Sequence, residues 1–255
     1  MVLDGKLSII ICPLMLKSKI KGNVLMSFNV WNVLSDMMRG FGVTLSLFGL
    51  TLVIALPLGL VFAFLCMTKF KPVSYLMKGI IWVVRGTPLL LQCIVVSFIP
   101  SSLFKIENLA VASFFNISAT DLQFVFVLIA FALNYACYFS VIYEGGIRNV
   151  PKGQYEAGQV LGMTKTQIFF KVVLMQVVRK ITAPMSNEII TLVKDTALAK
   201  ALSVAEILFY ANNAVNNYVN LTPLLYAGLF YLAFSGILTI VFNLIEKKLS
   251  YYQVT

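Results

Sequence analysis

Apolar residues in this chain come in long blocks separated by short polar or basic stretches, not at the two-residue period of an exposed strand. A bilayer core about 30 Å thick needs roughly 20 apolar residues in a helix, and five blocks approach that length. They run from Phe41 to Met67, Gly79 to Ile99, Leu122 to Tyr143, Ile181 to Ser203 and Pro223 to Ile245. The first is long enough to tilt, and Leu56-Pro57-Leu58-Gly59 marks a bend within it. The pattern therefore predicts an all-α polytopic membrane helix bundle of about five transmembrane helices. Its organisation is a tail over 1–40, a membrane domain over 41–245 with an intervening polar segment at 144–180, and a tail over 246–255. An earlier apolar run, Leu7 to Leu16, is broken by Pro13 and followed by Lys17, Lys19 and Lys21. It is too short to span, and its basic residues lie on the wrong side for a secretory signal. Two readings stand for it: a helix lying in the membrane interface, or an upstream extension with Met26 as the start.

Composition closes off the soluble alternatives. Of 255 residues, 60% are apolar and 12% charged, with a mean hydropathy of +0.90. Soluble domains carry about twice that charge. The net charge of +10 belongs to topology and not to nucleic acid, because basic residues gather in cytoplasmic loops. Lys69, Lys71 and Lys78, the six Lys/Arg of 144–180, and Lys247 and Lys248 all fall on one side; Lys105 is the single basic residue in the two opposite loops. The predicted arrangement is N-terminus outside and C-terminus in the cytoplasm. Five Lys/Arg in residues 1–40 oppose it, and a start at Met26 would leave Arg39 alone there. There is no histidine, which removes the commonest metal ligand and neutral-pH acid–base group. Cys12, Cys66, Cys93 and Cys137 lie in apolar runs without CxxC spacing and read as packing residues.

Ionisable residues within spans are costly, roughly 2.5–3.5 kcal/mol each on insertion scales, and persist where they face a cavity or one another. Arg85 sits six residues into the second span. It either snorkels to the inner headgroups or binds a carboxylate with its bidentate fork. Gly86-Thr87-Pro88 beside it is a candidate helix break, which would free backbone groups for a polar solute. Glu188, Lys194 and Asp195 fall in the fourth span. Lys194 and Asp195 are adjacent, so they point about 100° apart. Asp195 is the candidate partner for an ammonium, with Thr196 adding a hydroxyl, while Glu188 and Lys194 are candidates for a structural polar network. Thr87, Gln92, Asn134 and Tyr135 are cavity candidates, with interhelical hydrogen bonding as the plain alternative. Tyr226, Phe230, Tyr231 and Phe234 read as packing or lipid contacts.

The segment after the third span punctuates itself clearly. Gly145-Gly146 is expected to end the membrane helix, Pro151 to open a turn, Gln154 to Leu161 to form a short helix, Gly162 to stop it, and Thr164 to cap a helix over Thr166 to Val178. The result is a helical hairpin whose small residues, Ala157, Gly158 and Gly162, allow close approach of another surface, with Glu156 available for an ion pair. From the pattern alone, a loop folded back on its own bundle is an equal reading.

These residues resemble the EAA loop of permease subunits of ATP-binding-cassette importers, whose pattern is Glu-Ala-Ala, three residues, Gly, nine residues, then Ile-x-Leu-Pro. Here it falls on Glu156-Ala157-Gly158, Gly162 and Val172-Val173-Leu174-Met175. Gly158 stands where the family has a second Ala, and Met175 where it has Pro. The run Arg85 to Gln92 is similar to the RGTP segment of the polar amino acid subfamily, and Asn187 to Leu198 to its KDTSL segment. Asn134-Tyr135, Gly145-Gly146-Ile147 and Pro151 to Gln154 also fit, so the resemblance covers about 40–245.

The resemblance implies a bacterial inner-membrane permease, coupled through Glu156, Ala157, Gly158 and Gly162 to two ATPase subunits. It implies a second permease, identical or related, an extracytoplasmic binding protein, and an amino acid moved by alternating access. With no GxxxxGK[ST] run, ATP and Mg would sit on the partner ATPase; the chain is expected to hold no cofactor or metal and not to be an enzyme. Arg85 and Asp195 would hold the two ends of a zwitterion. The family often has Ala-Glu where Ser140-Val141 stand, and Arg at Glu144; lack of an acid at Val141 argues against lysine, arginine or histidine as cargo. The competing reading is a secondary transporter or channel working without nucleotide, for which inverted repeats are expected and none is evident.

Overall fold

The computed structural model describes residues 29–103 and 105–249, and every regular element among them is helical. Cys12, the 7–16 run, the choice of start and the last residues of the tail lie outside them. Helix α1 spans Val30–Met67, α2 Lys71–Gly86, α3 Leu89–Leu103, α4 Asn108–Phe114 and α5 Ala119–Arg148. The hairpin helices α6 Lys152–Val160 and α7 Lys165–Ile168 follow. A π-helical turn, Phe169–Val173, leads into α8, Leu174–Asp195, and a 3-10 stretch, Thr196–Leu202, continues it. Helices α9, Ile207–Tyr218, and α10, Thr222–Leu249, complete the chain.

Three of these, α1, α5 and α10, are long and apolar enough to cross a membrane, and the bent pair α2 and α3, if counted together as one span, brings the number to four. The expected fourth span is α8, whose Arg179, Lys180, Glu188, Lys194 and Asp195 make it too polar to qualify by composition. Three expectations are corrected. First, α1 starts eleven residues before Phe41 and runs through Pro57 as one element, so residues 30–40 belong to the bundle. Second, Gly145-Gly146 does not end α5; the helix continues to Arg148, and a Cβ on Gly146 would collide with Ile181. That glycine is a contact point with α8, not a stop. Third, the helix begun at Thr164 does not end near Val178 but continues through the π turn and past Pro184 to Asp195, a contour of roughly 45 Å at 1.5 Å per residue.

At the centre lies α5. Ser118 caps it, its hydroxyl oxygen accepting from Asp121 N at 3.1 Å, and Asp121 in the first turn and Arg148 in the last suit the helix dipole. Its principal neighbour is α1, which comes close because Gly59 has no side chain: a Cβ there would sit 2.9 Å from Ala136 O and Phe139 Cβ. Leu47, Ala55, Val127, Phe131, Tyr135, Phe139 and Leu192 form the main buried cluster. Cys66, Cys93 and Cys137 are buried free thiols, matching a packing role. Helix α10 rests on the outside of the bundle, with 6% of its most apolar window buried. Phe230 and Phe234 meet Phe41 and Phe48 at centroid distances of 5.1–6.0 Å.

Candidate functional site

The helix pair α2 and α3 bends by 110° across Thr87-Pro88. Pro88 lacks the N–H that would carry the helix on, and the residue before a proline avoids the helical region; Thr87 is extended at φ −114°, ψ 145°. Gln92 organises the break. Its Nε2 donates to Val84 O at 2.7 Å and to Thr87 Oγ1 at 2.9 Å, and its Oε1 accepts from Asn134 Nδ2 at 3.0 Å. The Thr87 hydroxyl donates back to Val83 O at 3.0 Å. These bonds satisfy backbone and amide groups that a broken helix leaves open.

A cavity of about 560 Å³ opens beside the break, within the usual range for small-molecule sites of about 300–1,000 Å³. Arg85 to Leu89 form one wall, Asn134, Tyr135 and Tyr138 of α5 a second, and Glu188, Thr191, Asp195 and Leu198 a third. The α8 residues recur at i, i+3 and i+7, one face of a helix. Arg85 projects from the last turn of α2 and stacks on Tyr138, its Cζ 4.9 Å from the ring centroid. The Tyr135 hydroxyl donates to Asp195 Oδ2 at 2.7 Å, fixing one carboxylate oxygen and leaving the other available. One guanidinium and two carboxylates thus surround a polar space.

The sequence candidates divide on this geometry. Arg85, Thr87, Asn134 and Asp195 line the cavity. Gln92 stands behind the wall and positions Thr87 and Asn134. Thr196 is fully buried and its hydroxyl donates to Val193 O at 2.6 Å; it lies about 100° around the helix from Asp195 and does not reach the cavity. Glu188, assigned to a structural network, lines the cavity instead. Lys194 is exposed, and among the described residues no ion pair joins it to Glu188 or Asp195. Tyr138 was missed; its signal was its position one turn beyond Asn134-Tyr135. Glu206 was missed too. It is fully buried, accepts from Leu208 N and Phe209 N at 2.7 Å each and from the Tyr231 hydroxyl at 2.7 Å, so Tyr231 is more than a packing residue.

At the end of α5 the hairpin forms as its punctuation dictates. Pro151 precedes α6, Gly162 turns the chain at φ +69°, and Thr164 and Gln167 make a reciprocal capping box. Gln176 Nε2 donates to Gln154 Oε1 at 3.1 Å, and Lys180 Nζ to Asn149 O. Glu156 and Ala157 are exposed, and Val160 and Leu161 at the tip are 87% and 77% exposed. Gly158 is different from expectation: it is buried, and a Cβ there would lie 2.6 Å from Ile168 Cγ1. Its small size serves the packing of α6 on α7 and not an outside surface. Nearby, Glu144 pairs with Arg148 at 2.8 Å and Lys78 at 4.0 Å, tying α5 to α2.

A membrane bundle with a broken span, a charged internal cavity and a helical hairpin at one end is the build of a transport permease. The chain belongs to the family of binding-protein-dependent transport system inner membrane components, whose model matches residues 55–251. It is therefore a multi-pass inner-membrane permease component. It is 32% identical over 224 residues to the L-cystine transport system permease protein TcyB of Bacillus subtilis (strain 168), covering 87% of this chain and 88% of that protein. It is also 32% identical over 217 residues to the arginine transport system permease protein ArtQ of the same organism, covering 83% and 91%. Among solved structures, an amino acid ABC transporter with histidines shares the fold at TM-score 0.70 and 24% identity, over 88% of this chain and 100% of that one. The MetNI methionine ABC transporter follows at TM-score 0.59 and 15% identity, over 86% and 96%.

Proposed function

We propose that this chain is the transmembrane subunit of an ATP-driven amino acid importer. The observation that carries this reading is the meeting of Arg85, Glu188 and Asp195 around one cavity at a helix break. A zwitterion presents a carboxylate and an ammonium. The Arg85 fork suits the first, and Asp195, half-satisfied by Tyr135, suits the second. TcyB and ArtQ are permease proteins of an L-cystine and an arginine transport system, which supports the same class of solute.

In this reading two ATPase subunits, which bind ATP and Mg, grip the hairpin at Glu156, Ala157 and the apolar tip. A second permease, identical or related, completes the path, and an extracytoplasmic binding protein delivers the amino acid. The N-terminus lies outside and the C-terminus in the cytoplasm, as the distribution of Lys and Arg favours. Access alternates because α7, the π turn and α8 are continuous: movement imposed at the hairpin reaches Glu188 and Asp195 through them.

The test is purification of the complex, followed by binding and proteoliposome uptake of a radiolabelled amino acid panel that includes L-cystine and L-arginine. ATP-dependent accumulation that disappears in Arg85→Ala and Asp195→Asn supports the reading. An unaltered apparent affinity in Asp195→Asn rejects the ammonium assignment.

A further inference from the structure

A second cavity, of about 270 Å³, lies toward the other end of the bundle from the hairpin. It is walled by Ser97, Asn108, Gln123 and Ser203 among apolar neighbours, with no charged residue. Asn108 Nδ2 donates to Ser97 O at 3.2 Å, while its Oδ1 is buried without a partner among the described residues. Ser203 holds the left-handed conformation at φ 61°, a strained choice for a residue with a Cβ.

The two cavities are in line. On α3, Leu89 lines the first, Cys93 follows one turn on, and Ser97 lines the second. On α5, Tyr135 lines the first, Phe131 and Val127 follow, and Gln123 lines the second, each four residues apart on one helix face. The 3-10 stretch makes the third side, with Leu198 at the first cavity and Ala201 and Leu202 at the second. Between them Cys93, Val127, Phe131 and Ala199 are completely buried in one apolar cluster.

We infer that the second cavity is an outer solute subsite, in series with the charged one and separated from it by the Cys93–Val127–Phe131–Ala199 layer acting as a gate. It recognises the solute by neutral hydrogen bonds from the Gln123 amide and the Ser203 hydroxyl, which line it without fixed charge. Lacking fixed charge, it holds the solute weakly and passes it on. The inference rests on the importer reading above.

Two measurements test it on the complex reconstituted with its ATPase and binding protein. Gln123→Phe fills the outer cavity. Uptake of the radiolabelled amino acid panel is expected to fall about tenfold, the scale of overpacking a tight site, while binding to the solubilised complex keeps its affinity. A folded Gln123→Phe complex that imports at the wild-type rate overturns the proposal. On the wild-type chain, a membrane-impermeant maleimide is added from the binding-protein side and each cysteine is read by peptide mapping. Cys93 is expected to be protected at rest and alkylated during ATP turnover; a Cys93 that stays unlabelled through turnover overturns the gate. The labelling needs no knowledge of the solute. Failure of the wild-type complex to import any amino acid would instead sink the importer reading.

Discussion

The Tyr135 hydroxyl on α5 lies 2.7 Å from Asp195 Oδ2 on α8 and donates to it. This bond joins the central helix of the bundle to the end of the helix that begins in the hairpin. It also holds one oxygen of an acid that lines the cavity. Tyr135→Phe removes the donor with little change of shape. A hydrogen bond to a charged group is worth about 1.5–3 kcal/mol, so uptake is expected to show a loss of about ten- to 150-fold in apparent affinity with the bundle still folded. Uptake kinetics and a melting curve separate the two effects.

Arg85 and Tyr138 make the second prediction. Stacking of this kind contributes about 0.5–2 kcal/mol. Tyr138→Leu keeps the volume apolar and frees the guanidinium, so affinity should fall by about two- to thirtyfold. Tyr138→Phe keeps a ring face and is expected to stay near wild type. Equilibrium binding of the transported amino acid to both variants checks this.

Gly158 and Ile168 make a third. Gly158→Ala puts a methyl 2.6 Å from Ile168 Cγ1, and overpacking costs about 1–3 kcal/mol. ATP-dependent uptake is expected to fall, and Ile168→Ala, which removes the opposing Cγ1, should partly restore it in the double variant. An additive double-variant cycle would show that the two sites are not in contact.

Glu206 makes a fourth. Glu206→Ala leaves Leu208 N, Phe209 N and the Tyr231 hydroxyl buried without acceptors, each worth about 1–3 kcal/mol. Severe loss of folded protein is expected, with Glu206→Gln, which keeps one acceptor oxygen, between it and wild type. Thermal stability of the detergent-solubilised protein measures the order.

Much of this structure was legible in the sequence where the signal is local. The runs behind α1, α5 and α10 exceed the bilayer length, Gly86-Thr87-Pro88 breaks a helix by covalent geometry, and Pro151, Gly162 and Thr164 set the hairpin. What was not legible depends on distant packing. The stretch between the fourth and fifth apolar blocks is helix α9 over much of its length, because Glu206 caps it and it packs on α1, where a Cβ on Gly40 would meet the Glu206 carbonyl carbon at 2.8 Å. Glu188 lines the cavity while Thr196 is buried with its hydroxyl on Val193 O, because which face a helix turns to its neighbours is settled by packing with distant elements. Gly146 and Gly158 look like a stop and an open face, yet Ile181 and Ile168 occupy the space beside them.

The most direct measurement is uptake of radiolabelled amino acid into proteoliposomes carrying the complex, wild type beside Glu156→Lys. Accumulation is expected to require ATP in the wild type and to vanish in Glu156→Lys, while amino acid binding persists. Accumulation without nucleotide, or unchanged ATP-driven uptake in Glu156→Lys, would contradict a permease worked by an ATPase through this hairpin.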